Sequence, residues 1–200
     1  MSTAYTESGR VQQKQRTRAD LVQATRRLID SGDTPSVEDV AEAAGISRTT
    51  AYRYFPSQAK LLAAAFPETT AESLLPVPAP DDVAQRVSAV VTAIVDIIER
   101  TEPQQRAMLR LSLGNVPHEL PLRQGRAIKW LTEALEPLRD ELGDDGVRSL
   151  ALALRSVCGI EARVWLRDIG GLASDDIRAL QMWMTNALIT RAADEAPPRR

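Results

Sequence analysis

The segment Val37–Phe55 constrains the fold more than any other. Apolar residues recur at helical spacing on both sides of Gly45, so two short helices must cross steeply with almost no linker. Ser36-Val37-Glu38-Asp39 resembles a capping box, which opens the first helix and places acids near its positive end. Gly45 supplies the permissive backbone of the turn, and Ala41 the small residue at the crossing. Ser47 caps a second helix from Arg48 to about Tyr54, and Pro56 forbids simple continuation. Val37, Val40, Ala44, Ile46, Ala51 and Phe55 fit as apolar anchors. Arg48, Thr49, Thr50 and Arg53 are then left to point outward. Their donors and methyl groups suit base edges and phosphates in a DNA major groove.

The rest of the chain also reads as helix, which gives an all-α fold class. A first helix is expected from about Lys14 to Ser31, with Leu21, Ala24, Thr25, Leu28 and Ile29 at helical spacing and Gly32 as its stop. Ser57 caps a fourth helix that runs to about Phe66, where Pro67 ends or kinks it. Pro76-Val77-Pro78-Ala79-Pro80 is a stiff connector and the natural domain boundary. Longer helices are expected over Val83–Arg100, Pro103–Leu113, Leu122–Leu142 (bent near Pro137), Asp145–Asp168 and Ser174–Ala193. The organisation expected is a flexible basic arm (1–13), a DNA-binding domain (14–66), a Pro-rich connector (67–80), a helical body (81–195) and a tail (196–200).

Charge bears on the partner through its distribution. The net charge is −2, yet residues 1–60 carry nine Lys/Arg against seven Asp/Glu. Four of those cations fall within Arg10–Arg18, either as a solvated arm or as phosphate contacts. A nonspecific architectural DNA binder would be strongly basic overall, and this chain is not. The one cysteine, Cys158, lies in an apolar run and reads as core; the one histidine, His118, lies in a Pro-flanked loop and reads as solvated. One of each argues against a zinc site or a thiol nucleophile, and no phosphate loop or Ser/His/Asp set is present, so neither an enzyme nor a cofactor is expected. No apolar run is long enough to span a membrane and no secretory signal is evident, so a cytoplasmic location is expected.

Asp39-Val40-Ala41, Ala44-Gly45-Ile46-Ser47 and Ala51-Tyr52-Arg53-Tyr54-Phe55-Pro56-Ser57, followed by Leu61-Leu62, resemble the TetR/AcrR family of bacterial regulators in order and spacing. The resemblance covers about residues 14–66. It implies a three-helix DNA-binding head and a helical body that dimerises and binds a small-molecule effector. The expected partners are therefore double-stranded DNA with a palindromic operator, a second copy of the chain, and an unidentified effector.

The roles expected in the head follow from residue chemistry. Arg48 would read guanine O6/N7, and Thr49 and Thr50 would touch a thymine methyl or a phosphate. Tyr52 and Tyr54 would donate to phosphates, Tyr52 also serving as core. Ser36 and Ser47 would offer contacts at helix N-termini, and Arg16, Thr17 and Arg18 would clamp the backbone. Arg53 fits either DNA or an ion pair on the solvated face. The family pattern has a phosphate-binding lysine after the Phe-Pro-Ser turn. Here Gln58 stands in its place, which implies a neutral hydrogen bond, with Lys60 two residues later.

In the body, the last two helices are apolar around most of their circumference and suit dimerisation. The dimer interface expected comprises Val147, Ala151, Leu154, Ala162, Ile177, Leu180, Trp183, Ala187 and Leu188; the alternative is ordinary monomer core. Candidate effector contacts are Met108, Leu111, Trp130, Ala134, Val157, Trp165 and Met184. Arg155 interrupts the run Leu150–Ile160, and would meet an anionic ligand, pair with an acid or reach solvent. The second reading of the whole chain is a helix-turn-helix regulator with no small-molecule ligand.

Overall fold

A computed structural model describes residues 3–65, 71–113 and 125–198, with side chains from Val11 onward. His118, Phe66, Pro67 and the expected start of a helix at Leu122 lie outside the described residues. Among the described residues all regular structure is helical. The chain divides into two compact units: a head of Met1–Pro67 with Ala107–Leu122, and a body of Glu68–Arg106 with Arg123–Arg200.

The head is built from α1 (Thr3–Asp30), α2 (Val37–Ala43), α3 (Arg48–Tyr54) and α4 (Gln58–Ala65). α1 begins at Thr3, so residues 3–13, expected as an arm ahead of it, are helical. It ends at Gly32, where a backbone φ of 96° lets the amides of Gly32 and Asp33 reach back to the carbonyls of Ile29 and Leu28. Leu21, Ala24, Val37, Val40, Ala41, Ala51, Phe55 and Leu61 form the core. A second cluster joins Ile29, Leu62 and Ala65 with Met108 of α6 (Glu102–Ser112).

The body contains α5 (Val83–Arg100), the start of α6, α7 (Arg126–Ala134), α8 (Arg139–Cys158), α9 (Ile160–Asp168) and α10 (Ser174–Asp194). Its core runs from Val87 and Val90 of α5 through Leu131 of α7 to Leu150 and Leu154 of α8. Two expectations are corrected here. The helix expected to bend near Pro137 is broken there into a 3-10 turn, Glu136–Leu138, because proline has no amide to continue the ladder. The helix expected over Asp145–Asp168 is two helices, divided at Gly159, whose backbone is extended (φ −82°, ψ 170°). The connector is partly anchored: Leu74 and Leu75 pack on the body core, the Trp130 indole donates to the Ala71 carbonyl at 3.0 Å, and Arg86 donates to that of Pro80 at 3.2 Å.

Candidate nucleic-acid interface

α3 is held down by one side and offers the other. Ala51 and Phe55 are buried, Thr50 and Tyr54 are half-buried, and Arg48, Thr49, Tyr52 and Arg53 are exposed. Ala41 of α2 and Ala51 of α3 are fully buried in one shared core cluster. The turn between them works because Gly45 adopts φ 66°, a left-handed conformation that costs other residues energy. In that conformation the amides of Gly45 and Ile46 reach the carbonyls of Glu42 and Ala41 at 3.0 and 2.9 Å.

Both serines expected near DNA are helix caps. Ser36 accepts from the Asp39 amide at 3.1 Å while its own amide donates to the Asp39 carboxylate at 2.8 Å, a reciprocal capping box. Hydrogen bonds from the Ser36 hydroxyl and amide hold the Asp39 carboxyl below the ordinary aspartate value. Ser47 accepts from the Thr50 amide at 3.3 Å and donates to the Thr50 hydroxyl at 2.9 Å. The Tyr52 hydroxyl donates to Glu38 on α2 at 3.1 Å, and this bond to a carboxylate raises its pKa. The Arg53 guanidinium lies 5.7 Å from the Tyr54 ring, and that of Arg18 lies 5.5 Å from the Phe55 ring.

Gln58 has a task the sequence did not reveal. Its side-chain amide donates to the carbonyls of Thr34 and Pro35 at 3.2 and 2.7 Å, which pins the α1–α2 loop to the start of α4. Both amide hydrogens are spent there, so a phosphate contact from this side chain is not what its geometry provides. Arg26 similarly closes α4 by donating to the Ala65 carbonyl at 2.7 Å. Arg16 is exposed and Thr17 half-buried on α1.

The body candidates separate. Met108 and Leu111 pack against head residues Ile29, Leu62 and Ala65, whereas Trp130 and Ala134 lie in the body core. Val157 and Met184 are half-buried and Trp165 is 60 % exposed, so the seven do not line one cluster. Arg155 pairs with Glu161 at 3.0 Å, its guanidinium filling the space where a side chain on Gly159 would stand. Of the expected dimer residues, Val147, Ala151, Leu154 and Ile177 are buried within their own protomer and present no surface to a partner. Ala162, Leu180 and Leu188 are half-buried, while Trp183 and Ala187 are exposed. The break at Gly159 explains the shift, since carrying one stripe through it placed Trp165 on the core side. Cys158 is core, as expected, and burial pushes its thiol up to about 11.

The buried charge is Arg163, which sequence reasoning missed. Its side chain is 3 % exposed and donates to Glu102 at 2.7 Å, Glu99 at 3.1 Å and Ser174 at 3.1 Å. Glu102 also receives Arg106 at 2.8 Å and Arg167 at 2.9 Å, and Arg106 grips Asp168 through two bonds at 2.6 and 2.8 Å. Arg178 bridges Asp96 and Glu99. Its one signal in the sequence is spacing: Arg163 lies three residues from Ile160 and three from Leu166, both buried.

Among the described residues no helix is long and apolar enough to cross a membrane, and no group of three or more His, Cys, Asp or Glu is placed to hold a metal. A search of curated proteins finds no match. Residues 21–65 match the family model described as bacterial regulatory proteins, tetR family. That span runs from the first buried residue of α1 to the end of α4, and so takes in the whole crossed-helix arrangement with its exposed α3. The head is thus similar to the DNA-binding region of tetR family regulators, and the match supports a DNA-binding regulator of transcription.

Proposed function

We propose that the chain is a homodimeric repressor that reads a palindromic operator through α3 and is released by a small molecule bound in the body. The observation that carries the reading is the division of α3 into a buried anchor, Ala51 and Phe55, and an exposed face, Arg48, Thr49, Tyr52 and Arg53. Arg48 is the base reader, since it is exposed in the first turn of α3, the part of such a helix that meets base edges. Thr49, Thr50, Tyr52, Arg53 and Tyr54 flank it as backbone or methyl contacts. One short helix reads too few bases, and pairing on a two-fold axis doubles them.

The pairing surface lies on α9 and α10. Trp165, Ile169 and Trp183 are 60, 74 and 67 % exposed, and large apolar side chains in that state mark an interface. Ala162, Leu180 and Ala187 extend it. The effector reading is supported by Gln181, which is 1 % exposed and whose Oε1 has no donor among the described residues. The second reading, regulation without a small molecule, is favoured by Trp130 and Ala134 being already packed in core. Location in the cytoplasm and the absence of catalysis follow from the regulatory reading.

Genomic footprinting with the purified chain tests it. A protected palindrome is expected, and no preference for any duplex over random competitor overturns the proposal. On that operator Arg48→Ala should cost roughly 1–3 kcal/mol and relax one base position, while an unchanged base preference removes Arg48 from the reading set. Trp183→Glu should yield monomers in sedimentation and lose operator affinity.

A further inference from the structure

Two acids stand side by side in the first turn of α2, and they differ in what they hold. The Asp39 carboxylate is spent on the helix cap, where it accepts from the Ser36 amide at 2.8 Å and the Ser36 hydroxyl at 2.7 Å. The Glu38 carboxylate takes no part in that cap. Among the described residues it makes no ion pair, and the hydrogen bond it accepts comes from the Tyr52 hydroxyl of α3 at 3.1 Å. A carboxylate has about four lone-pair sites, so most of its accepting capacity is left over.

That bond sets where the carboxylate stands. Tyr52 is 41 % exposed and lies on the face of α3 that also carries Arg48, Thr49 and Arg53. Half-buried Glu38 is thereby tied to the edge of the reading face. Tyr52 has a single proton to give and Glu38 takes it, which leaves the Tyr52 ring to flank the DNA backbone. Arg48 lies one turn before Tyr52 on α3, and its charge acts on the Tyr52 hydroxyl. Arg48 and Arg53 can only donate, so they suit guanine O6/N7 and phosphate. Ionised Glu38 can only accept.

A docked duplex offers such an acceptor two kinds of neighbour. Phosphates carry acceptors and negative charge, and give a carboxylate nothing to bind. Base edges in the major groove carry amino donors, cytosine N4 and adenine N6. A duplex without an amino group opposite Glu38 leaves the carboxylate desolvated and unpaired, and is rejected for that reason.

We propose that Glu38, oriented by Tyr52, is a specificity-determining residue of the head that accepts from an exocyclic base amino group, cytosine N4 or adenine N6, in the major groove. Tyr52 is its positioning residue. The inference rests on the DNA-binding reading of the head and adds to it a base contact supplied by α2.

The test uses the full chain and the duplex recovered by footprinting, together with duplexes in which each base pair is changed in turn. Glu38→Ala should flatten the preference at one base pair by about tenfold and leave it intact elsewhere, including at the position that Arg48 reads. At that base pair the amino group is then removed alone, with a pyrimidinone lacking it in place of cytosine, or purine in place of adenine. The parent chain should weaken by about tenfold and Glu38→Ala should not. Tyr52→Phe keeps the ring and lacks the proton, and should blunt the preference at the same base pair only. Glu42→Ala removes an equal charge from the same helix and should leave base preference as in the parent. An equal gain or an equal loss of affinity on every duplex for Glu38→Ala makes Glu38 a repelling charge or a structural bond, and overturns the proposal. A parent chain indifferent to loss of the amino group overturns it too. Both results leave the head reading intact, whereas failure of the parent chain to prefer any duplex removes that reading itself.

Discussion

The head and the body bury their elements by different means. The head core is small and apolar, built from Leu21, Ala24, Val37, Val40, Ala41, Ala51, Phe55 and Leu61. Its one fully buried polar side chain among the described residues, Thr25, donates back to the Leu21 carbonyl within the same helix at 2.8 Å. The body adds to its apolar core a network of charges from α5, α6, α9 and α10, with Arg163 at its centre. A helix seated in such an apolar core can be fixed by shape alone. Short α9 has only Ile160, Arg163 and Leu166 buried, and its placement relies on directional bonds to two glutamates and a serine. Such a network is sensitive to the loss of one member, because the remaining charges stay behind without compensation.

Removing that member is the strongest way to break the contrast. Arg163→Met leaves Glu99 and Glu102 with fewer partners and should destabilise the chain by about 3–5 kcal/mol in denaturant unfolding. Isolated loss of helix packing in the body, with operator-binding residues untouched, is the pattern expected. A neutral result would mean that packing, and not the network, fixes α9, so that the two regions do not differ in kind.

The contrast also explains what could be read in advance. The capping box at Ser36, the turn at Gly45, the cap at Ser47 and the alternation of buried and exposed residues on α3 all act within a few residues, so local spacing reveals them. The starts of α5 and α10 were legible for the same reason: Asp82 caps Gln85 at 2.8 Å, and Asp175 and Asp176 sit in the first turn of α10. Arg163 finds partners in Glu99 and Glu102, more than sixty residues away in sequence, and nothing local foretells them. Gln58 is similar, since its task depends on the Thr34 and Pro35 carbonyls coming to the start of α4. The division at Gly159 was hidden by a stripe of apolar residues that continues through it in sequence but changes phase in space.

Within the head, Gly45→Ala sharpens the comparison at a smaller scale. No atom lies within 4 Å of where the added methyl would stand, so the change carries only the cost of a left-handed backbone. That cost is about 1–2 kcal/mol in chemical unfolding. Because the same turn aims α3, operator affinity should fall with it. A variant with unchanged stability and affinity would show that the turn is set by the core shared by α2 and α3 and not by the glycine.

Acid should separate the two regions most gently. Burial opposes the charged form of Glu102, but hydrogen bonds from Arg163 and Arg106 outweigh it and keep the carboxyl below the ordinary glutamate value. Arg106 holds Asp168 down in the same way. A carboxylate with a lowered folded-state pKa contributes stability that is fully present above its unfolded value. That stability is lost as the pH falls through the folded value. Stability should therefore be level from pH 7 to about 4.5 on account of these groups, and decline below that. In the head, the lowered carboxyl among the described residues is Asp39, which is solvent-exposed and tied only to its own helix cap. Amide exchange followed down a pH series should thus show α9 and the first turn of α6 losing protection before α2 and α3. The reverse order would mean that the charge network is not what holds α9 in place.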